Sequence, residues 1–350
     1  MIRVGIVGCN YGRLVHLPAF RLDPRCQVIA LAGSDAERTA GLAREANIPL
    51  AFGNWADLVE HPDVDAVTIA APPGLQPAIA MRALELGKPV FAEKPIAAGL
   101  ADAEAMARAA AASGRATLVD FNFSAIMVWR KAKQLLEQGA IGRLRHVTVN
   151  WNVENYGTRM RIRNWKADGA EGGGALGNFV SHSFHYLEWL CGPVTGLSAR
   201  LSGLPDDPAF ETSATVSLAF QSGAAGTIVM SCASYLGSGH RLEFYGDEGT
   251  LTLVNVTRDY MRGFELRVAR RPESALSPVE VHDPVDLQFP ADGRIAPVSR
   301  LAADFLDAIQ TGRPAVPGFA EGLRVQVLLD TARHANKLGH WLDIEPKVME

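Results

Sequence analysis

The first 120 residues alternate between short apolar runs and longer segments in which apolar residues recur at helical spacing. The apolar runs lie at residues 2–7, 28–32, 64–71, 89–92 and 117–121. Strands that are apolar along their whole length are typical of a parallel sheet covered on both faces. Because crossovers between such strands are right-handed, the pattern predicts a doubly wound α/β domain over residues 1–121.

Three helices are predicted between these strands, at residues 35–47, 74–86 and 100–113. Ser34 is the predicted N-cap of the first helix, and Glu37, three residues later, completes a capping box. A glycine follows each of the other two helices, which suits the left-handed conformation common at helix C-termini. These boundaries leave short turns at the carboxyl ends of the strands, where open α/β sheets bind ligands.

From residue 122 onward the pattern changes to strands whose residues alternate between polar and apolar. Such strands have one buried and one solvated face, which is typical of an antiparallel sheet. We predict an α+β domain over residues 122–350, built on a large, open, mostly antiparallel sheet. The predicted strands are residues 145–151, 212–220, 226–234, 241–245 and 250–256. The predicted helices are residues 125–138, 175–190, 298–310 and 319–338, and residues 272–297 are predicted to form an irregular loop.

One face of this predicted sheet would expose apolar side chains unless another element or subunit packs against it. Ala214, Val216, Leu218 and Phe220 share one face of a strand, while apolar residues such as Val229 occur elsewhere. A sheet with helices on only one side leaves its other face for a partner, which predicts a homodimer or homotetramer. The alternatives are that the last helices cover this face or that they pack back near the first domain.

The composition excludes several classes of partner. The 350 residues are 48% hydrophobic and 21% charged, with a formal net charge of -4. No block of like charges resembles a nucleic-acid or membrane-binding patch, and no run approaches the roughly 20 apolar residues of a membrane span. The four cysteines form no CxxC pair, which indicates a reducing compartment. We therefore predict a cytoplasmic protein with neither nucleic acid nor membrane as a partner.

The turn after the first strand reads Gly8-Cys9-Asn10-Tyr11-Gly12-Arg13. In a dinucleotide fingerprint, glycines let the backbone approach a pyrophosphate at a helix N-terminus. Here Asn10 replaces the second glycine and the spacing is one residue short, so a plain strand-to-helix turn is an equal alternative. Its place in the first β-α-β unit favours nucleotide binding. The predicted coenzyme contacts in this turn are Gly8, Asn10, Tyr11, Gly12 and Arg13.

The end of the second strand bears on the choice between NAD and NADP. A NAD site usually has an acidic residue there to hold the ribose hydroxyls, and here that position is Gly33. Ser34 and the nearby Arg38 leave room for a 2′-phosphate, which favours NADP. The alternative is that Ser34 only caps a helix and Arg38 is solvated. The remaining predicted coenzyme contacts are Ala71, Pro72, Pro73, Glu93 and Lys94.

The fourth apolar run ends in Glu93-Lys94-Pro95. Ligands of open sheets bind at the carboxyl ends of the strands, and Pro95 restricts Lys94 to an extended conformation. Most lysines that follow a strand are solvated. A lysine between a carboxylate and a proline at this edge is a better candidate for polarising a substrate oxygen, so we predict Lys94 as a catalytic residue.

Three glycines, at 172–174, precede a predicted helix that carries Asn178, His182 and His185. Asn178 and His182 are four residues apart, so they share a helix face. A histidine on a helix is most often structural, but an amide one turn earlier makes His182 a candidate general base with a pKa near the working pH. A metal ion shared by the two histidines is the weaker alternative, because no cysteine or carboxylate has matching spacing. No metal site is predicted.

Together these motifs resemble the Gfo/Idh/MocA oxidoreductases, a family that includes glucose–fructose oxidoreductase and inositol dehydrogenases. The resemblance covers nearly the whole chain. Its most specific part is Gly87-Lys88-Pro89-Val90-Phe91-Ala92-Glu93-Lys94-Pro95. Further matches are Asn164-Trp165-Lys166, Gly172-Gly173-Gly174-Ala175-Leu176, Tyr245-Gly246-Asp247-Glu248-Gly249-Thr250 and Glu321-Gly322-Leu323-Arg324.

The resemblance implies that Lys94 touches the nicotinamide ribose and the substrate hydroxyl, and that His182 is the general acid and base. Many members have Asp where this chain has Asn178, and an amide orients a hydroxyl but cannot relay a proton. The implied activity is NAD(P)-dependent hydride transfer between nicotinamide and a secondary alcohol or ketone of a sugar, sugar derivative or cyclic polyol. The predicted substrate contacts are Tyr156, Arg159, Trp165, Asn178 and His182.

Two other functions are consistent with the same residues. Asn178 would suit a non-catalytic, NAD(P)-binding regulatory protein on this scaffold. A glycosidase that oxidises its substrate transiently with bound NAD would also use this architecture. The dehydrogenase interpretation requires that the amine of Lys94 and the imidazole of His182, from separate domains, converge on one nicotinamide ring.

Overall fold

The computed structural model describes residues 1–345, which divide into two units. Unit 1 consists of Met1–Asn122 and Phe289–Gln326, and unit 2 consists of Phe123–Gln288 and the residues from Val327 onward. The predicted domain end at residue 350 lies outside the described residues. Within residues 1–345, no helix combines the length and the apolar character that crossing a bilayer requires.

The strands are, in chain order, β1 Ile2–Val7, β2 Cys26–Ala32, β3 Leu50–Phe52, β4 Ala66–Ile69, β5 Val90–Ala92, β6 Thr117–Val119, β7 Leu144–Asn152, β8 Val194–Leu204, β9 Asp207–Phe220, β10 Ala225–Ser231, β11 Gly239–Gly246, β12 Gly249–Asn255, β13 Glu265–Arg270, β14 Ser277–Pro278 and β15 Leu342–Asp343. The α-helices are α1 Leu17–Arg21, α2 Ala36–Glu45, α3 Trp55–Glu60, α4 Gln76–Glu85, α5 Leu100–Ser113, α6 Met127–Glu137, α7 Tyr156–Arg159, α8 Ser181–Cys191, α9 Ile295–Thr311 and α10 Phe319–Leu338. The chain also forms π-helical turns at Gly12–His16 and Leu176–Val180, and 3₁₀ turns at Asn122–Ala125, Trp165–Ala167 and Asp286–Gln288.

Unit 1 is built on a six-stranded sheet with the strand order β3-β2-β1-β4-β5-β6. Every neighbouring pair is parallel. β4 and β5 are buried along their whole length, as expected for a parallel sheet covered on both faces. The strand order reverses between β1 and β4, and ligands of such sheets bind beside the carboxyl ends at this switch point. The predicted doubly wound domain is confirmed.

The sequence predicted most elements of unit 1 correctly. All five predicted strands are present, and the three predicted helices correspond to α2, α4 and α5. β3, α1 and α3 were missed. β3 is a three-residue edge strand that is only partly buried, so it has no apolar run. The predicted cap was wrong: Asp35, not Ser34, is the N-cap of α2, and its side chain accepts a hydrogen bond from Arg38 N at 2.9 Å. The helix begins one residue later than the prediction, so Asp35 has the capping position.

Helix α9 belongs to unit 1, although the sequence analysis drew the domain boundary at residue 121 and gave the packing of the last helices near the first domain as an alternative. Phe305 of α9 packs edge-on against Phe20 and Phe91, with ring-centroid distances of 6.4 and 5.8 Å. All three rings are fully buried. The apolar periodicity of a helix predicts that one face is buried, but it does not predict which sheet that face covers.

Unit 2 is built on a nine-stranded sheet with the order β14-β13-β12-β11-β7-β10-β9-β8-β15. β7 and β10 run parallel, and the other neighbours are antiparallel. In β9, Ala214, Val216 and Leu218 are buried, while the side chains between them lie on the opposite face. The predicted large, mostly antiparallel sheet is confirmed.

The sequence missed β8, β13, β14 and β15, and it predicted β9 to be shorter than it is. Small residues in β8 dilute the alternation on which the prediction depended. At Gly196 a Cβ would lie 2.6 Å from Trp341 Nε1, so the indole occupies the space of a side chain. The predicted loop at 272–297 also contains β14, a 3₁₀ turn and the beginning of α9.

Candidate functional site

The turn that follows β1 packs directly against the residue that follows β4. Gly8 has a φ of 120°, and a Cβ at this position would lie 2.4 Å from the carbonyl oxygen of Ala70. A Cβ at Gly12 would lie 2.7 Å from Ile6 Cγ2. Glycine is therefore required at both ends of the turn, which leads into the π-helical turn Gly12–His16. Such π turns are frequent at functional sites.

The predicted coenzyme residues Asn10 and Arg38 are brought together. Arg38 Nη2 donates a hydrogen bond to Asn10 Oδ1 at 3.5 Å, and both residues are exposed. The structure also explains why Gly33 has no acidic side chain. A Cβ there would lie 2.6 Å from Cys9 Sγ and 2.6 Å from Thr39 Oγ1. An acid at this position would have to displace the first turn.

The other predicted coenzyme residues of unit 1 lie at the same edge of the sheet. Ala70 N donates to Val7 O at 2.7 Å, so the 71–73 segment starts beside the end of β1. Pro72 O then accepts from Leu75 N at 2.9 Å, which turns the chain into α4. Ser34 is exposed after β2, and Arg13 is half-buried after β1. The predicted coenzyme residues of these segments therefore follow three neighbouring strands, β2, β1 and β4.

A buried histidine joins the next strands of the sheet. His16 is fully buried. Its Nδ1 forms a hydrogen bond with Thr68 Oγ1 at 2.6 Å, and its Nε2 forms one with Glu93 Oε1 at 3.0 Å. Asp120 Oδ2 lies 3.6 Å from the same Nε2. One imidazole thus contacts side chains from β4, from the end of β5 and from the end of β6.

The strand register explains why the two carboxyl groups are neighbours. Ala92 and Val119 are paired in β5 and β6, so Glu93 and Asp120 leave the sheet side by side. The Tyr11 hydroxyl donates to Asp120 Oδ2 at 3.3 Å. The predicted residues Tyr11 and Glu93 therefore belong to one hydrogen-bonded network.

Sequence reasoning missed His16 and Asp120, the two residues that complete this network. Asp120 carries the same signal as Glu93, because it is an acid that directly follows an apolar run. His16 carries no comparable signal, since its partners come from three different strands. Lys94 follows Glu93 directly and is half-buried at the carboxyl edge of β5.

The network of His16, Glu93 and Asp120 brings an imidazole and two carboxyl groups together in the protein interior. Burial would lower the pKa of His16, but the carboxylates of Asp120 and Glu93 outweigh this effect and raise the pKa to about 9. Burial and the charge of Asp120 raise the pKa of Glu93 to about 7, against the hydrogen bond from His16. The ligand atoms of the three residues lie within 4.8 Å of one another, which would suit a cation. A protonated imidazole has no lone pair for a metal, so at neutral pH His16 itself supplies the positive charge.

In unit 2, the predicted helix 175–190 consists of the π-helical turn Leu176–Val180 followed by α8. His182 lies at the beginning of α8 and is 6% exposed. Its ring packs edge-on against Phe123 at a centroid distance of 5.0 Å. Asn178 instead donates through Nδ2 to Lys166 O at 2.9 Å. The two predicted catalytic residues of unit 2 thus have different surroundings, aromatic for His182 and loop backbone for Asn178.

The glycine run before this helix allows a close approach of backbone to backbone. A Cβ at Gly173 would lie 1.9 Å from Trp165 O, and one at Gly177 would lie 1.9 Å from Gly172 O. The glycines therefore let the loop around Trp165 pack onto the start of the helix. Glu211 accepts a hydrogen bond from a backbone N–H of this turn at 2.7 Å, where the helix dipole favours a carboxylate.

A second buried histidine, which the sequence analysis did not identify, lies in the same aromatic cluster. His240 stacks on Trp151 at a centroid distance of 4.1 Å, and its Nε2 forms a hydrogen bond with the Tyr186 hydroxyl at 3.0 Å. The Trp151 ring also lies 6.3 Å from the His182 ring. Burial lowers the pKa of His240 to about 3, so this imidazole is neutral at physiological pH.

The remaining predicted substrate residues make local contacts. Tyr156 and Arg159 both lie on α7, with the guanidinium 5.7 Å from the phenol ring centre. Trp165 lies in a 3₁₀ turn, where the Lys166 ammonium is 5.7 Å from its ring centre. Their role in substrate binding stays a prediction.

The His16 network predicts how stability depends on pH. The pKa values of His16 and Glu93 are raised in the folded chain, so folding stabilises both protonated forms. This contribution is complete below the ordinary values of 6.5 and 4.5 and is lost as the pH rises through about 9 and about 7. We expect the free energy of unfolding to fall by on the order of 3 kcal/mol as the pH rises through this window.

Urea unfolding at a series of pH values measures this slope, with the double variant Glu93→Gln/Asp120→Asn as the comparison. Without its carboxylates, buried His16 disfavours the proton, so the double variant is expected to gain stability as the pH rises through about 6.5. If the free energy of unfolding depended on pH equally in the two proteins, the carboxyl groups of Glu93 and Asp120 would not stabilise the protonated His16.

Comparisons with known proteins agree with this architecture. The family described as "Oxidoreductase family, NAD-binding Rossmann fold" matches residues 2–121, and the family described as "GFO/IDH/MocA C-terminal domain" matches residues 129–252. An uncharacterized oxidoreductase from Synechocystis sp. is 32% identical, over 98% of this chain and 96% of its own length.

Levoglucosan dehydrogenase is similar to this chain both in sequence and in structure. Levoglucosan dehydrogenase from Pseudarthrobacter phenanthrenivorans is 24% identical over 98% of each chain. A solved structure of levoglucosan dehydrogenase in complex with NADH superposes with a TM-score of 0.87 at 23% identity, covering 98% of this chain and 99% of that one. The chain described here therefore belongs to the Gfo/Idh/MocA family of NAD-binding oxidoreductases.

Proposed function

We propose that this oxidoreductase transfers hydride between a nicotinamide coenzyme and a secondary alcohol or ketone of a sugar, sugar derivative or cyclic polyol. The observation that carries the proposal is the position of Lys94. It directly follows Glu93, whose carboxylate is held by buried His16 at the edge where such sheets bind coenzyme. The similarity to levoglucosan dehydrogenase supports a polyhydroxy substrate.

Each residue has a distinct role in the proposed reaction. When bound, the coenzyme supplies the hydride acceptor at nicotinamide C4. His182 accepts the proton of the substrate hydroxyl, and the Lys94 ammonium stabilises the negative charge that develops on that oxygen. Asn178 orients the hydroxyl, and Tyr156, Arg159 and Trp165 contact the rest of the substrate.

Substitution tests these two roles. We expect Lys94→Ala and His182→Ala each to lower kcat by about 10²–10⁴-fold, because each removes a group that acts on the transferred proton or the developing charge. The measurement is coenzyme reduction with a panel of sugars and polyols. Lys131→Ala is the matched lysine control, since Lys131 bonds to Gln134 on the surface of α6.

His185→Gln is the matched histidine control, because His185 is buried on the same helix as His182. Wild-type activity in both Lys94→Ala and His182→Ala would exclude the proposed roles. Tight coenzyme binding without turnover on any substrate would favour a regulatory protein. Release of a glycosyl leaving group without net coenzyme reduction would favour the glycosidase.

NADP is the proposed coenzyme in preference to NAD. The Gly33 position has no room for an acid that would hold the ribose hydroxyls, because Cys9 and Thr39 fill that space. Arg38 lies beside the coenzyme turn, where it bonds to Asn10, and exposed Ser34 adds a hydroxyl. This is the set of groups expected around a 2′-phosphate.

We expect Arg38→Ala to raise the Kd of NADP⁺ by about 10–100-fold, since a hydrogen bond to a charged group contributes roughly 1.5–3 kcal/mol. The Kd of NAD⁺ is expected to change by less than about threefold, because NAD⁺ lacks the 2′-phosphate. Fluorescence titration of both coenzymes measures the two constants, and Arg44→Ala on the same helix is the control. Equal weakening of both coenzymes, or tighter NAD⁺ binding by the wild type, would contradict the NADP assignment.

The proposed assembly is a homodimer or homotetramer formed through the exposed face of the nine-stranded sheet. On this face Thr215 pairs with Val229, and Ser217 pairs with Thr227. Thr215, Ser217 and Val229 are exposed, and their small side chains leave a flat surface that a second copy can cover.

Light scattering after size-exclusion chromatography tests this assembly. We expect an oligomer for the wild type and a monomer for Val229→Arg, because this change buries an unpaired charge in the interface. Arg108→Glu, on the exposed face of α5, is the control for a change of surface charge. A wild type that is monomeric at micromolar concentration would exclude the assembly.

A further inference from the structure

Gln76 is the first residue of α4, and its side chain is fully buried. Its amide nitrogen Nε2 donates to the carbonyl oxygen of Glu93 at 2.9 Å and to that of Pro95 at 2.8 Å. These carbonyl groups belong to the residues immediately before and after Lys94. We propose that Gln76 is a positioning residue for Lys94, an inference that rests on the catalytic role proposed above for that lysine.

Gln76 commits both of its amide protons to this short backbone segment. Nε2 carries two protons, and each carbonyl oxygen accepts one of them. If the amide were turned over, its Oε1 would face two carbonyl oxygens, so the hydrogen bonds determine its orientation. Oε1 has no hydrogen-bond partner among residues 1–345, which is a cost for a buried acceptor. The orientation of the side chain therefore satisfies the two backbone carbonyls, although it leaves Oε1 without a hydrogen bond among the described residues.

The two hydrogen bonds act at the point where the chain leaves the sheet. β5 ends at Ala92, whose carbonyl oxygen accepts from Asp120 N at 2.8 Å. Glu93 N still donates to Ile69 O of β4 at 2.9 Å, and beyond this bond the backbone of residues 94–95 leaves the sheet. By bonding these two carbonyls, Gln76 fixes the peptide group directly before the Lys94 Cα and the one that follows Pro95, so it holds both ends of the short segment that carries Lys94. The position of this segment determines where the lysine side chain leaves the backbone.

Gln76 also links Lys94 to a second part of the proposed coenzyme site. The backbone N–H of Gln76 donates to Pro72 O at 3.3 Å, so α4 starts directly from the 71–73 segment. A shift of that segment reaches the backbone around Lys94 through one side chain. His16 holds the same loop independently, because it bonds the Glu93 carboxylate and not the backbone.

A double-mutant cycle separates positioning from general support of the fold. Gln76→Leu keeps the approximate size of the side chain and removes both donors. We expect kcat to fall about 10–100-fold, as displacement of a catalytic group by about 1 Å costs up to roughly that much, with KM and coenzyme Kd within about threefold of wild type. In a Lys94→Ala background, the same change is expected to alter kcat by less than about twofold, because its effect acts through Lys94.

Equal falls in both backgrounds would overturn the proposal, since Gln76 would then support the site independently of Lys94. If Lys94→Ala by itself left kcat unchanged, the proposed catalytic role would fail and the inference with it, a result distinct from an additive cycle. Lys94→Arg serves as the background if the activity of Lys94→Ala falls below detection.

A second variant tests the donor directly. Gln76→Glu has nearly the same shape, but its carboxylate cannot donate, and its protonated form donates to only one carbonyl. We expect the activity of Gln76→Glu relative to wild type to rise as the pH falls, while the ratio for Gln76→Leu stays flat. Gln134→Leu on α6 controls for loss of a glutamine and is expected to leave kcat unchanged. Parallel pH profiles for Gln76→Glu and Gln76→Leu would contradict the proposal. If Gln76→Leu folds poorly, a flat pH profile of Gln76→Glu relative to wild type would contradict it as well.

Discussion

Three strand ends meet at a single buried imidazole in unit 1. His16 contacts Thr68 of β4, Glu93 after β5 and Asp120 after β6. Charges in a protein interior are stable only when they are paired and hydrogen-bonded, and removing one partner typically costs about 3–5 kcal/mol. The two carboxyl groups can therefore remain at this edge because the imidazole lies between them. Lys94, the candidate catalytic lysine, follows directly from the residue that this interaction holds.

The two candidate catalytic residues depend on different kinds of support. Lys94 lies in a loop whose neighbours form polar contacts, through the Glu93 carboxylate and through the carbonyls bonded by Gln76. His182 lies at the start of a helix and packs against aromatic rings, with the Trp151 and His240 stack beside it. Polar support fixes the direction of a side chain, whereas aromatic packing excludes water from around it.

Local sequence patterns predicted most strands, most helices and the motif residues, because these depend on side chains close together in the chain. The carboxyl-edge position of Lys94 followed from one apolar run and the proline after it. His16 and Gln76 were not predicted, because their partners come from strands and loops far away in the sequence. The sequence left the place of α9 open between alternatives, since its contacts with Phe20 and Phe91 depend on the fold of the whole unit.

The central claim is that hydride passes from a carbon of the substrate to the coenzyme, with Lys94 acting at that step. The most direct measurement uses the best substrate of the sugar and polyol panel, labelled with deuterium at its carbon-bound positions, and records the mass of the reduced coenzyme. The account predicts that each reduced coenzyme carries one deuterium and that the labelled substrate reacts more slowly. Turnover that leaves the coenzyme without deuterium would contradict it.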